Sequence, residues 1–205
     1  MRLIRTLLIL SAALPITACT AMSDDGMAIE SSASAATTVM VGGAAMYPTR
    51  NIVENAVNSA DHTTLVAAVK AAGLVDTLAS AGPFTVFAPT NAAFDLLPAG
   101  TVATLLMPEN KATLQKILTY HVVSGRITAA DLAQRIRAGG GSARLTTVEG
   151  GTLIARMQGN NVVLVDEKGG IATVTQADVM QSNGVIHVTN RVSMPGLPGP
   201  SRKHT

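Results

Sequence analysis

Tryptophan is absent from this sequence of 205 residues, and aromatic residues make up only 2 % of it. That scarcity speaks against platforms that stack nucleic-acid bases or sugars. It also leaves the core to Val, Leu, Ile, Ala and Met, within an apolar content of 47 %. A single cysteine, Cys19, rules out a disulfide within the chain. No basic stripe is present. The formal charge of +2 owes its sign to Arg2 and Arg5; without residues 1–18 the chain carries 13 basic against 13 acidic residues. Nucleic acid is therefore not an expected partner. Catalytic signatures are missing as well: there is no GxSxG elbow, Walker loop, HExxH or Cys–His nucleophile pair. Gly139-Gly140-Gly141 lacks the Lys-Ser/Thr of a phosphate cradle and reads as a helix exit. No cofactor and no metal site is expected.

The N-terminus carries the clearest local pattern. Met1–Arg5 is basic, Thr6–Leu14 is apolar and too short to span a bilayer, and Thr17-Ala18 precede Cys19. This order describes a signal peptide over 1–18. Small residues directly before a cysteine resemble a bacterial lipobox, in which cleavage precedes Cys19 and the cysteine carries lipid. The alternative is an incidental cysteine with cleavage elsewhere, for example after Ala21. Thr20 rather than Asp after the cysteine favours the outer membrane by the enteric rule; release as a secreted protein is the alternative. Residues 19–45 are rich in Ala, Ser, Thr, Met and Gly without a steady period. They read as a flexible linker, and 196–205 as a disordered, Pro- and Gly-rich tail.

Between 46 and 195 the periodicity becomes regular. Helical spacing predicts helices over Asn51–Ser59, from a cap at Asp61 or Thr63 to Gly73, and over Val75–Leu78. It also predicts them over Thr90–Phe94, Thr101–Met107 and Lys111–Leu118, and from Thr128 to Gly139. Phe84–Ala88 and Tyr120–Val123 read as extended. Four short apolar runs then alternate with Gly- and Asn-rich turns: Ala143–Val148, Thr152–Met157, Val162–Asp166 and Ile171–Val174. Val185–Asn190 is a last strand. Helices first and a meander later predict an α+β domain, with N-terminal helices packed on an antiparallel β-sheet wedge.

Three segments resemble the fasciclin domain family. Thr85-Val86-Phe87-Ala88-Pro89-Thr90-Asn91-Ala92-Ala93-Phe94 is similar to its first signature. Asn183-Gly184-Val185-Ile186-His187-Val188-Thr189-Asn190-Arg191-Val192, continuing to Pro195, is similar to its second. Tyr120-His121-Val122-Val123 between them resembles the family's Tyr-His motif. The resemblance implies a single fasciclin-like domain over 46–195, in a bacterial secreted or lipid-anchored member.

It also implies an adhesion or binding module rather than an enzyme. Its partner would be a protein or a matrix or envelope component, and its membrane contact would run through lipid on Cys19. In animal members the Tyr-His motif and an Asp-Ile element are implicated in integrin recognition. Their counterparts here are Tyr120-His121 and Asp178-Val179, the last a departure from Ile. His121 and His187 could in principle be a metal pair or a general base. Their apolar context and lack of a ligand cluster favour buried imidazoles bonded to backbone or to Ser, Thr or Asp. Two further functions compete: a carrier of a small apolar ligand, which would need a large apolar pocket, and an enzyme, which would need polar groups converging in a cleft.

Overall fold

The computed structural model describes residues 38–196. The expected signal peptide, Cys19, most of the expected linker and the tail beyond Gly196 lie outside the described residues. The chain opens with a hairpin, β1 (Val39–Val41) and β2 (Ala44–Met46). It packs down rather than trailing away: Val41 and Met46 are 4 % and 2 % exposed. The Ser59 hydroxyl donates to the Val41 carbonyl at 3.2 Å, and the Ala60 N–H to that of Gly42 at 3.2 Å. The expected domain start at Met46 thus falls at the last residue of a hairpin that belongs to the domain. Two three-residue strands of Val, Met and Ala joined by Gly42-Gly43 carry too little alternation to stand out from an Ala-, Gly- and Met-rich leader.

Helices follow where their capping residues place them. Asn51 and Glu54 form a reciprocal capping box around α1 (Ile52–Ala56), with both bonds at 2.9 Å. A 3-10 turn over Ala60–His62 leads into α2 (Thr63–Ala72), which ends where Gly73 adopts φ 72°. After α3 (Val75–Ala79) come β3 (Phe84–Pro89), α4 (Asn91–Asp95) and α5 (Thr101–Leu105). Next are α6 (Lys111–Tyr120) and β4 (Val122–Ser124). Tyr120 therefore closes a helix instead of opening a strand, because the 3.6-residue stripe of Leu114, Ile117 and Leu118 carries the helix two residues past the end of its apolar run. Thr128 and Asp131 make the second capping box, at the start of α7 (Ala129–Ala138). The shorter Asp side chain closes it, accepting from the Thr128 N–H at 2.9 Å.

The meander comprises β5 (Ser142–Thr146), β6 (Thr152–Gln158), β7 (Asn161–Val165), β8 (Ile171–Gln181) and β9 (Gly184–Thr189). Together with β3 and β4 it forms one seven-stranded sheet in the order β4-β3-β9-β8-β7-β6-β5. The sheet is mixed, which corrects the expected antiparallel wedge: β3 and β9 pair in parallel, from Phe84↔Gly184 to Pro89↔Thr189. Parallel neighbours need a crossover. Here α4 to α7 and β4 to β8 lie between the two strands, so no local pattern announces their pairing. The sheet also wraps. A bridge between Val123 and Thr147, with the Val148 N–H donating to the Val122 carbonyl at 2.7 Å, brings β4 and β5 together.

Two apolar cores result. One lies between the helical layer and the outer side of β3 and β9; it gathers Ile52, Leu65, Val69, Phe94, Leu118, Ile186 and Val188 with the hairpin. The other lies inside the wrapped sheet, where α7 plugs it with Leu132 and Ile136 against Leu145, Leu153 and Leu164. The three Phe residues divide between them: Phe87 belongs to the inner core, whereas Phe94 and the half-buried Phe84 belong to the helical side. The alternation expected along β9 is present, with Ile186 and Val188 on the helical side and the His187 ring stacked on Phe87, centroids 5.5 Å apart.

Candidate functional site

The residues singled out in the sequence converge on the β4-β3-β9-β8 half of the sheet, and nearly all are buried. Tyr120 is 0 % exposed, His121 3 % and Val179 1 %; Asp178 is half-buried. Tyr120 sits at the end of α6, where its hydroxyl donates to the Thr152 carbonyl at 2.8 Å and accepts from the Glu167 N–H at 3.2 Å. It thereby ties the helix to two turns of the meander. Burial pushes its pKa up to about 12; the Glu167 N–H works against that, while the charges of Glu167, Asp166 and Glu149 add to it. Such a phenol stays protonated and cannot act as a base near neutral pH.

The two histidines are each bound by backbone on both ring nitrogens. His121 Nδ1 lies 2.8 Å from the Ile117 carbonyl, and Nε2 accepts from the Ser193 N–H at 2.9 Å. A carbonyl can only accept and an amide N–H can only donate, so the ring is neutral with its proton on Nδ1. His187 uses the other tautomer. Its Nε2 donates to the Ile127 carbonyl at 2.8 Å, and Nδ1 accepts from the Asp178 N–H at 3.3 Å. Burial lowers both pKa values, although Ile127 and Asp178 oppose this for His187. No lone pair remains on either ring for a metal or a substrate proton. The reading of these residues as backbone-bonded structural imidazoles therefore stands.

Asp178 explains itself through α7. The bulged strand β8 shifts register twice between Val174 and Val179, and Asp178 adopts φ 58° there. In that pose its carboxylate accepts from the Ala129 N–H at 2.7 Å, one of the donors left free at the start of α7. The same bulge aims its own N–H at His187. The structure thus links Asp178 to His187, whereas Tyr120-His121 belongs to the other flank of β3, where the His121 carbonyl accepts from the Phe87 N–H at 2.9 Å.

Several residues that hold this region together escaped the sequence reading. Asn183, read only as half of a tight turn, accepts from the Ile52 N–H at 3.0 Å and donates to the Leu78 and Ser80 carbonyls, each at 2.8 Å. Its neighbour must be Gly184, since a Cβ there would collide with the Phe84 carbonyl. Asp166 accepts from three N–H groups, of Lys168, Gly170 and Met194, at 3.0, 2.7 and 2.9 Å. The Asp-x-x-Gly-Gly spacing from 166 to 170 was the signal available for that turn. Among the described residues no group of three or more His, Cys, Asp or Glu could hold a metal ion. An apolar void of about 40 Å³ lies under α1 and α2, lined by Ile52, Ala56, Leu65, Val69, Val86 and Leu118 among others. An apolar cavity of about 150 Å³ is the scale that admits a single benzene ring.

What these elements define is an α+β module in which the polar side chains of Tyr120, His121, His187, Asp178, Asn183 and Asp166 position backbone rather than line a cleft. The fasciclin domain model matches residues 60–195, and the chain belongs to that family. Fasciclin domains are cell-adhesion or binding modules. Protein sll1483 of Synechocystis sp. is 49 % identical over 158 residues, covering 77 % of this chain and 81 % of that protein. Immunogenic protein MPB70 of Mycobacterium bovis is 37 % identical over 143 residues, covering 67 % and 65 % respectively. Among solved structures, a FAS1 domain pair from the insect cell adhesion molecule fasciclin I superposes with a TM-score of 0.64 at 20 % identity. That match covers 71 % of this chain and about half, 51 %, of the solved one, and it concerns the fold.

Proposed function

We propose that this chain is an exported, lipid-anchored binding module of the cell envelope, without catalytic activity of its own. The observation that carries the non-catalytic part is that the polar groups singled out in the sequence are taken up by backbone. The hydroxyl of Tyr120, both nitrogens of His121 and His187, and the carboxylates of Asp178 and Asp166 all bond to backbone. A general base or nucleophile needs a free lone pair within reach of substrate. Tyr120 and Asp178 then serve recognition indirectly, by fixing the turns at Thr152 and Glu167 and the start of α7 that a protein or matrix partner would meet, with His121 and Val179 buried behind them. The lipid anchor rests on the order basic, apolar, Thr17-Ala18-Cys19. Among the described residues no helix is long and apolar enough to cross a membrane, so attachment through Cys19 would supply what the domain itself lacks. The linker from Cys19 to the hairpin at Val39 would keep the module near the bilayer while leaving its surface free.

The test is Cys19→Ser in the native host. Membrane association and incorporation of labelled fatty acid are expected to be lost, along with cleavage before residue 19, because diacyl anchoring contributes roughly 0.8 kcal/mol per buried methylene. An unchanged membrane fraction with an unchanged mature mass would remove the anchor from the proposal.

A further inference from the structure

The segment Val192–Gly196 crosses the domain in neither helix nor strand. A strap of this kind ordinarily bonds to backbone carbonyls, which do not titrate. Here three of its N–H groups reach side chains, one of them an imidazole. Ser193 donates to His121 Nε2 at 2.9 Å, Met194 to Asp166 Oδ2 at 2.9 Å and Gly196 to Glu167 Oε2 at 2.7 Å. We infer that Val192–Gly196 is an acid-released strap, latched by His121, Asp166 and Glu167.

The His121 contact sets the direction. His121 already donates through Nδ1 to Ile117, so a second proton must enter at Nε2. It would set N–H against the N–H of Ser193, and the latched ring cannot accept it. The groups facing the latch do not replace it. His121 faces Asp166 and the edge of the Tyr120 ring. Lys168 and Arg191 share a groove with Asp166, and Lys116 and Lys168 lie beside Gly196. Among the described residues none of these cations pairs with Asp166 or Glu167; Lys116 pairs instead with Glu149 at 3.2 Å.

The direction with pH follows from His121. Burial lowers its pKa in the latched state, against the opposing pull of the Ile117 carbonyl and Asp166. A released, hydrated imidazole returns to about 6.5 and so binds the proton more tightly. Latching is therefore complete above about pH 6.5 and declines as the pH falls below it. Release would withdraw Val192 from the helix-side core, together with Met194, which packs against it. It would open the groove where Leu96, 64 % exposed, lies with Lys168 and Arg191.

Amide hydrogen exchange followed by NMR on the full chain tests this, with rates corrected for the intrinsic pH dependence of exchange. Between about pH 7.5 and about pH 5, protection of Ser193, Met194 and Gly196 should fall at least about tenfold, while Val185 and Val188 in β9 hold theirs. His121→Gln keeps an acceptor that does not titrate, so Ser193 should stay protected in acid. If that variant does not fold, the wild-type comparison decides alone. The proposal is overturned if strap and β9 amides lose protection together, if neither changes, or if Ser193 is released by acid in a folded H121Q variant.

Discussion

The two cores of this domain use the same aliphatic residues to different ends. Inside the wrapped sheet the centre is sealed, with Phe87, Tyr120, Leu153, Ala155 and Leu164 all 0 % exposed, while Ala143 and Val174 at 7 % and Val162 at 8 % mark its rim. On the helical side Leu65, Val69 and Ile117 retain 8 %, Phe94 and Leu78 retain 7 %, and the void of about 40 Å³ lies among them. The cause is architectural. The inner core is enclosed by strands locked in register and by one well-capped helix. The helical layer is assembled from helices of five to ten residues, too short to persist alone, which rest on the sheet and adapt to it. Stability is expected to concentrate in the first region and adjustability in the second.

The largest test of that difference compares two phenylalanines. Phe87→Ala should cost about 4 kcal/mol, since it opens the sealed core and leaves the His187 ring without its stacking partner. Phe94→Ala, in the looser layer, should cost at least about 1 kcal/mol less, because neighbouring helices can settle into the space. Urea unfolding of both variants measures this. Equal losses, or a larger one at Phe94, would show that the two cores are packed alike.

A smaller effect is expected where the layers are fastened together. Asn183 reaches from the start of β9 to the first residue of α1 and to the end of α3. Asn183→Ala strands one donor and two acceptors, a loss of about 2–3 kcal/mol. The loss should be uneven: hydrogen exchange should quicken in α1 and α3 while β6 and β7 keep their protection. Uniform loosening of both regions would mean that they unfold as one unit and that the distinction between them is only geometric.

The sequence made the same distinction legible in part. Capping residues and 3.6-residue stripes are local, so α1, α2, α6 and α7 could be placed from Asn51, Gly73, Leu114 and Thr128. Gly- and Asn-rich turns likewise marked the hairpins of the meander. What stayed hidden depends on contacts distant in the chain. The parallel β3–β9 pair has no local signal, and β8 was cut short at Val174 because its bulge places Gln176, Ala177 and Asp178 where alternation should continue. At the site, burial of His121 and His187 could be read from their apolar neighbours. Their specific partners could not, since Ser193 lies 72 residues from His121 and Ile127 lies 60 from His187. Asn183 was undervalued for the same reason.

The smallest expected effect is the sharpest, because one substitution should change sign between the cores. Ala56 lines the void beneath α1. Ala56→Val places two methyl groups near unfilled space, a gain of roughly 1.5 kcal/mol at about 0.8 per methylene, offset by about 0.5 kcal/mol of lost helix propensity. A net stabilisation of about 1 kcal/mol is expected. Ala155 lies in the row Ala143, Ala155, Leu164, Ala172 across β5 to β8, over which α7 packs. Small residues in that row let the helix approach. Ala155→Val should cost about 1–3 kcal/mol through overpacking, even though Val suits a strand better than Ala does. Intrinsic propensity thus works against the expected result at both positions. If thermal unfolding instead follows propensity, with the strand variant gaining and the helix variant losing, packing density does not separate the two cores.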